Sequence, residues 1–203
     1  QIIAVQNDFS CRVTNLVSMG QGEPFQNYQA TLEALRFANA KDGLEIGARH
    51  ITVSTCGIIR GIERLANEPE QFTLAVSLHS ALQDVRNEIM PRCSNIPLPH
   101  LKKALRSYIE KTGRRVSFEY LLIKGVTDTE ENLAALIDFC DGLLCHVNLL
   151  SVNEVEGSPY KPSSTATQQR WVKELKSAGK EATIRNSRGS DIDGACGQLK
   201  NKM

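Results

Sequence analysis

Short apolar runs alternate with stretches of helical spacing along the whole chain, and no other feature of the sequence constrains the fold as tightly. The runs lie at 12–18, 50–54, 72–76, 116–123, 146–150 and 181–185. Between and after them, helical spacing predicts helices over 28–40, 58–67, 84–90, 98–112, 129–140 and 165–178. In the first of these helices Leu32, Leu35, Phe37 and Ala38 are expected on the core side. Leu101, Leu105, Tyr108 and Ile109 are expected inward in 98–112, which Gly113 should close. Thr129 followed by two glutamates reads as the start of 129–140, with Leu133, Leu136, Ile137 and Cys140 inward. The opening run 1–6 reads as the end of a helix, which suggests a piece of a longer protein.

Nothing in the sequence reads as a two-residue hairpin, so the strands are expected to be parallel and joined by right-handed crossovers. Two architectures satisfy this, a doubly wound sheet and a (β/α) barrel. The barrel is favoured by where the chemically distinctive residues fall, just beyond the C-terminal ends of strands, since that rim is where barrels build their sites. A complete eight-unit barrel takes about 250 residues, so 203 residues holding six units point to an α/β fold of a partial, open (β/α)6 type. Residues 1–203 are expected to form a single domain.

The rim residues describe a polar ligand. Met19-Gly-Gln-Gly-Glu-Pro24 is a glycine turn in which Gly22 permits tight backbone and Glu23 could hold an ammonium group. Ser54 and Thr55 bring hydroxyls suited to a ribose or carboxylate, or to capping the next helix. Ser77 and His79 add a hydroxyl and an imidazole, though a lone histidine is more often a packed or capping residue than a catalyst. Asn153 offers a donor and an acceptor. Together these residues suit a ligand with amino, carboxyl and ribose groups. Near the chain end, Cys196 lies among Gly189, Gly194, Gly197, Asp191 and Asp193. A thiol surrounded by small residues is a candidate nucleophile where its thiolate is favoured. The other reading is a small residue in a turn.

Charge and cysteine usage narrow the partners. The net charge is +1, which excludes a polycation, but from Lys161 onward bases outnumber acids by about five, which fits contact with phosphates or a solvated face. The six cysteines are Cys11, Cys56, Cys93, Cys140, Cys145 and Cys196. They are scattered and form neither the C-x-x-C of a zinc site nor a closely spaced cluster triplet. Cys140 and Cys145 are expected to be buried structural residues. A reducing cytosol, and hence a cytoplasmic location, is the expectation. No apolar run approaches the ~18 residues of a membrane span.

The motifs, taken in order, resemble a known family. They are Met19-Gly-Gln-Gly-Glu-Pro24, Ile51-Thr-Val-Ser-Thr-Cys-Gly57, Val76-Ser-Leu-His79, Met90-Pro91, Phe118-Glu-Tyr120 and Gly125-Val-Thr-Asp128, then His146-Val-Asn-Leu149, Gly157-Ser-Pro-Tyr160 and Asp191-Ile-Asp-Gly-Ala-Cys-Gly-Gln-Leu199. The set is similar to the C-terminal part of radical S-adenosylmethionine RNA methyltransferases of the RlmN and Cfr type. The resemblance implies S-adenosylmethionine and a [4Fe-4S] cluster at the barrel mouth. It also implies that Gly22, Glu23, Ser54, Ser77, Leu78, His79 and Asn153 line the cofactor pocket. Cys196 matches the cysteine that carries the methyl group as S-methylcysteine and later forms a disulfide. The implied partners are 23S ribosomal RNA, some transfer RNA and a flavodoxin-type electron donor, with a monomeric intact enzyme.

The sequence also departs from the family pattern. The cluster-ligating Cys-x-x-x-Cys-x-x-Cys, the resolving cysteine, the first barrel strand and an RNA-contacting domain would all lie before Gln1. No metal ligand is therefore expected in this chain, and the chain alone is expected to bind no cluster and to be inactive. Gln21 and Cys56 stand where Met and Ser are commoner. Arg185-Asn-Ser-Arg-Gly and Gly-Ser-Pro-Tyr resemble the RlmN branch, which implies methylation of adenine carbon 2. The alternatives are the Cfr branch, acting at carbon 8, and a non-catalytic module that binds RNA or a nucleotide.

Overall fold

In a computed structural model, residues 1–153 and 158–185 of the chain are described. The elements run α1 (Ile2–Phe9), β1 (Leu16–Ser18), α2 (Tyr28–Asn39), β2 (Ile51–Thr55), α3 (Ile59–Leu65), β3 (Thr73–Ser77), α4 (Gln83–Ile89) and α5 (Leu98–Thr112). They continue with β4 (Val116–Leu122), α6 (Glu130–Cys140), β5 (Cys145–Ser151), α7 (Thr165–Ser177) and β6 (Glu181–Arg185). A 3-10 turn, Pro24–Asn27, leads into α2.

The six strands form one sheet whose spatial order is the chain order, and each neighbouring pair is parallel. A doubly wound sheet reverses its strand order partway across; this one does not, which decides between the two architectures expected from sequence. The sheet also curls. Arg185, at the end of β6, reaches Met19, just past β1, with Nη1 to Sδ at 3.2 Å. The two outer strands thus approach each other without pairing, and the shape is a partial barrel.

Register separates the two faces. Val53, Leu74, Val116 and Cys145 form one row across the sheet, and Val76, Phe118, Val147 and Ala182 form the next. These residues are buried beneath the helices. The alternate positions (Thr52, Ser54, Ser117, His146, Asn148) are only partly buried and face the concave side. Aromatic contacts tie the helices to the outer face: Phe118 meets Phe139 edge-on at 5.6 Å, and Tyr120 lies 5.3 Å from Trp171. Full burial of such side chains contributes roughly 2–3 kcal/mol each.

The two helix ends read from local signals in the sequence hold. Thr129 caps α6 by accepting from the Asn132 N–H. Gly113 closes α5 in a left-handed conformation, φ 64°. Cys140 and Cys145 are both buried. Two expectations need correction. Phe37 is 57% exposed, whereas Leu32, Leu35 and Ala38 are buried; two helical residues past Leu35 is a turn of about 200°, which carries Phe37 to the opposite side. The strand expected over 12–18 pairs only from Leu16 to Ser18, because β2 begins at Ile51, the partner of Leu16.

Candidate functional site

The turns after β1, β2 and β3 meet at one rim, and hydrogen bonds to the main chain join them. Gly22 has φ 94°, a left-handed value that favours glycine, and a Cβ there would meet open space. Glu23 follows in extended conformation and uses both carboxylate oxygens. Oε1 accepts from the Phe25 N–H at 3.0 Å, capping the 3-10 turn, and Oε2 accepts from the Cys56 N–H at 2.7 Å. The carboxylate therefore fastens the β1 turn to the β2 turn. Carboxylate oxygens hold two lone pairs each, so capacity for a ligand ammonium remains. The contact at position 56 is through the main chain, which is why a cysteine serves there. Burial pushes the Cys56 thiol up, away from thiolate character.

Ser54 lies on the concave face of β2, whereas Thr55 points the other way. The Thr55 hydroxyl is buried and accepts from the N–H groups of Gly57 and Ile58 at 3.0 and 3.2 Å. Of the two hydroxyls read from sequence as ligand groups, only Ser54 faces the concavity; Thr55 shapes the turn. Ser77 ends β3 on the same face, opposite Glu119 of β4.

Beyond β3 the backbone turns sharply. The N–H groups of Leu78 and His79 both donate to the Glu119 carbonyl, at 3.1 and 3.2 Å. The Leu78 side chain is core. His79 has φ 58°, a left-handed conformation uncommon for such a residue. Its Nδ1 is buried and has no hydrogen-bond partner among the described residues. Burial, and then the neighbouring Arg86 guanidinium, hold the imidazole pKa down to about 4. At neutral pH the ring is uncharged, and an orphaned buried polar atom is costly unless something fills its place. A left-handed backbone and an unsatisfied nitrogen on one residue are the kind of strain that clusters at functional sites.

A second set of groups lies on the concave face of β4, β5 and β6; its Glu119, His146, Asn148 and Arg185 belong to the motifs quoted from the sequence but are not among the expected site residues. The buried Glu119 accepts from Asn148 Nδ2 at 2.9 Å and faces Arg185 Nη1 at 3.4 Å. Asn148 also donates to Ser117 at 3.0 Å, and its Oδ1 accepts from Thr183 at 3.1 Å. His146 Nε2 lies 2.9 Å from the same Thr183 hydroxyl, and burial holds its pKa down. A cavity of about 300 Å³ opens against this wall and reaches Met19 and Thr52 across the barrel. The signal that could have found the wall is polar residues at every second position of otherwise apolar strands: Ser117 and Glu119, His146 and Asn148, Thr183 and Arg185.

Asn153 stands two residues past β5. Cys196 and its glycine and aspartate neighbours lie outside the described residues, as do residues 154–157. Among the described residues no group of three or more His, Cys, Asp or Glu could hold a metal ion, so they offer no donor set for an iron–sulfur cluster. Among the described residues no helix is long and apolar enough to cross a membrane.

Comparison with known proteins accords with this geometry. Residues 1–137 match the family model described as the Radical SAM superfamily. A protein of Clostridioides difficile (strain 630) described as "Probable dual-specificity RNA methyltransferase RlmN" is 46% identical over 202 residues, covering 100% of this chain and 59% of that protein. Its namesake from Clostridium novyi (strain NT) is 44% identical over 98% of this chain and 58% of its own length. The chain thus spans somewhat under three fifths of the curated relatives it matches. A crystal structure of a radical SAM methyltransferase from Sphaerobacter thermophilus superposes with a TM-score of 0.91 at 45% identity, covering 96% of this chain and 57% of that one. A domain of pyruvate-formate lyase-activating enzyme from Bacteroides vulgatus ATCC 8482 superposes at 0.66 with 19% identity, a likeness of fold alone.

Proposed function

The chain belongs to the radical SAM superfamily, and on that premise we propose that it is the C-terminal barrel segment of an RNA methyltransferase of the RlmN type, which methylates carbon 2 of adenine in 23S ribosomal RNA and some transfer RNA. The observation that carries the reading is the rim. Three turns, the first two joined at Glu23 and the third tied to β4 at the Glu119 carbonyl, bring together Gly22, Ser54, Ser77 and a neutral His79, in a chain 44–46% identical to proteins so described.

Residues Gly22, Glu23, Ser54, Ser77, Leu78, His79 and Asn153 would hold S-adenosylmethionine. Its amino group suits the spare lone pairs of Glu23, and its carboxylate and ribose suit the hydroxyls of Ser54 and Ser77. Leu78 contributes main chain and apolar backing. Once bound, the cofactor supplies an electrophilic methyl group. An adenine ring carbon is not a nucleophile that takes such a methyl directly, so a thiol must carry it, and Cys196 is that residue in this reading. Positioning and exclusion of water are the barrel's share of the work. The polar wall of Glu119, Asn148 and Arg185 faces the same concavity and suits a nucleobase edge. The [4Fe-4S] cluster, a disulfide involving Cys196, a flavodoxin-type electron donor, a monomeric state and a cytoplasmic setting belong to the same reading of the intact enzyme.

The test is Cys196→Ala in the intact enzyme, with nucleosides from the RNA analysed by mass spectrometry. Wild type should yield 2-methyladenosine. The variant should yield none yet retain RNA binding. Equal methylation by Cys196→Ala would reject the thiol's role. An 8-methyl product would move the protein to the Cfr branch, and RNA binding without any methylation by wild type would leave a binding module.

A further inference from the structure

Arg86, on the seven-residue helix α4, is fully buried. It forms no ion pair among the described residues. A buried cation without a carboxylate is expensive and needs full hydrogen bonding. Each of the three Arg86 nitrogens has a main-chain carbonyl partner: Nε donates to Leu78 at 3.2 Å, Nη1 to Cys93 at 3.4 Å and Nη2 to Cys56 at 2.6 Å. Two of these carbonyls belong to the residues directly after β2 and β3. One rigid guanidinium fork therefore spans the turns that follow Ser54 and Ser77. The rim is gripped from two sides, since the N–H groups of Leu78 and His79 are held by Glu119 and the Leu78 carbonyl by Arg86.

We propose that Arg86 is a positioning residue for the cofactor pocket: by gripping the carbonyls of Cys56, Leu78 and Cys93 it fixes the turns after β2 and β3 and holds His79 in its left-handed conformation. The proposal rests on the S-adenosylmethionine reading of the rim. Arg86 touches no ligand in this account; it acts through the turns. Its charge also bears on His79. The charged group facing that ring from α4 is Arg86, and Glu119 of β4 meets the same turn through its main-chain carbonyl. Arg86 adds to the burial that keeps the imidazole neutral. Lysine would preserve the charge but lose the planar fork, so charge and geometry are separable.

The experiment uses the intact protein with its cluster and variants Arg86→Met and Arg86→Lys. Calorimetric titration with S-adenosylhomocysteine measures binding, and 15N-histidine spectra follow the His79 titration, assigned with His79→Asn. Arg86→Met should weaken binding tenfold or more and raise the His79 midpoint. Arg86→Lys should weaken binding while leaving that midpoint low. Binding by Arg86→Met within twofold of wild type, with an unmoved His79 titration, overturns the proposal. If Arg86→Met does not fold, Arg86→Lys decides, and affinity within twofold of wild type rejects the geometric role. Wild type that fails to bind the ligand removes the cofactor reading instead. Arg86 is then judged by the His79 midpoint, which must still rise in whichever variant lacks the charge and folds.

Discussion

Gly61 is where the packing beneath the rim is most exposed to a one-carbon change. It lies inside α3, buried against Phe25 of the 3-10 turn. A Cβ at this position would stand 2.4, 2.4 and 2.5 Å from the Cδ2, Cγ and Cβ of Phe25. Carbon–carbon contacts are comfortable at about 3.5–4.0 Å, so each is short by about 1 Å. Turning the phenyl ring does not relieve the clash, because the Phe25 Cβ is one of the three atoms, so the segment Pro24–Asn27 has to move. Overpacking of this kind costs about 1–3 kcal/mol. Replacing glycine by alanine within a helix returns about 1 kcal/mol. With the clash at the upper end of its range, Gly61→Ala should destabilise by about 2 kcal/mol, a fall in Tm of about 4–8 °C. The moving segment is tethered to Glu23, whose Oε1 accepts from the Phe25 N–H, so affinity for S-adenosylhomocysteine should fall about tenfold. Gly20→Ala is the control. Its Cβ meets open space, and stability should hold or rise by up to about 1 kcal/mol. Scanning calorimetry and ligand titration on both variants decide the matter. A Gly61→Ala protein as stable as wild type would show that α3 and the Phe25 turn are not packed as described.

Glu23→Gln leaves one acceptor where two N–H groups need one each, and it loses the charge-assisted bond to Cys56 or Phe25; the urea midpoint should fall by the equivalent of about 2 kcal/mol. His79 makes stability depend on pH. Its folded pKa of about 4 lies below the unfolded value, so the unfolded chain takes up the proton first; stability is full above pH 6.5, declines as pH falls toward 4 and is level below. Between pH 7 and 5 the loss should reach about 2 kcal/mol in wild type and be much smaller in His79→Asn, since asparagine tolerates the left-handed backbone. Asn132 is buried. It accepts from Ser80 Oγ and Tyr120 Oη and donates to the Val126 carbonyl, so Asn132→Ala should cost about 3 kcal/mol by chemical denaturation.

The strands were legible because their outward positions from β2 to β5 are apolar apart from Thr55 and Ser151, and helices bury the apolar ones. The expected strand at 12–18 shows where periodicity fails: Arg12 to Asn15 have no partner strand to pair with, and pairing, not composition, sets a strand's length. The rim was legible through residue type, since glycine, carboxylate, hydroxyl and imidazole stand out after apolar runs. What a side chain does there was not. Glu23 reads as a ligand group yet uses its oxygens to join two turns, and Thr55 reads as a rim hydroxyl yet caps backbone N–H groups facing the helices. Arg86 left no trace, because an arginine in a short polar helix reads as solvated by default. Its three partners are carbonyls from positions 8, 7 and 30 residues away, and such groups carry no sequence signature.

Glu119 links the rim to the wall. Its main-chain carbonyl accepts from Leu78 and His79, which fixes the turn after β3, while its carboxylate accepts from Asn148 and faces Arg185. Arg185 in turn reaches Met19 beside the β1 turn. A displacement of Arg185 or Asn148 by something entering the concavity therefore acts on the residue that anchors His79. Conversely, a ligand seated on His79 presses on the backbone of the residue that centres the wall. In a polar, half-enclosed barrel such contacts are stiff, since each buried donor or acceptor that loses its partner costs about 1–3 kcal/mol. The occupants of rim and wall should therefore be coupled through β4 itself, with no need for a moving loop. Residues of β4 that never touch a ligand would then influence both.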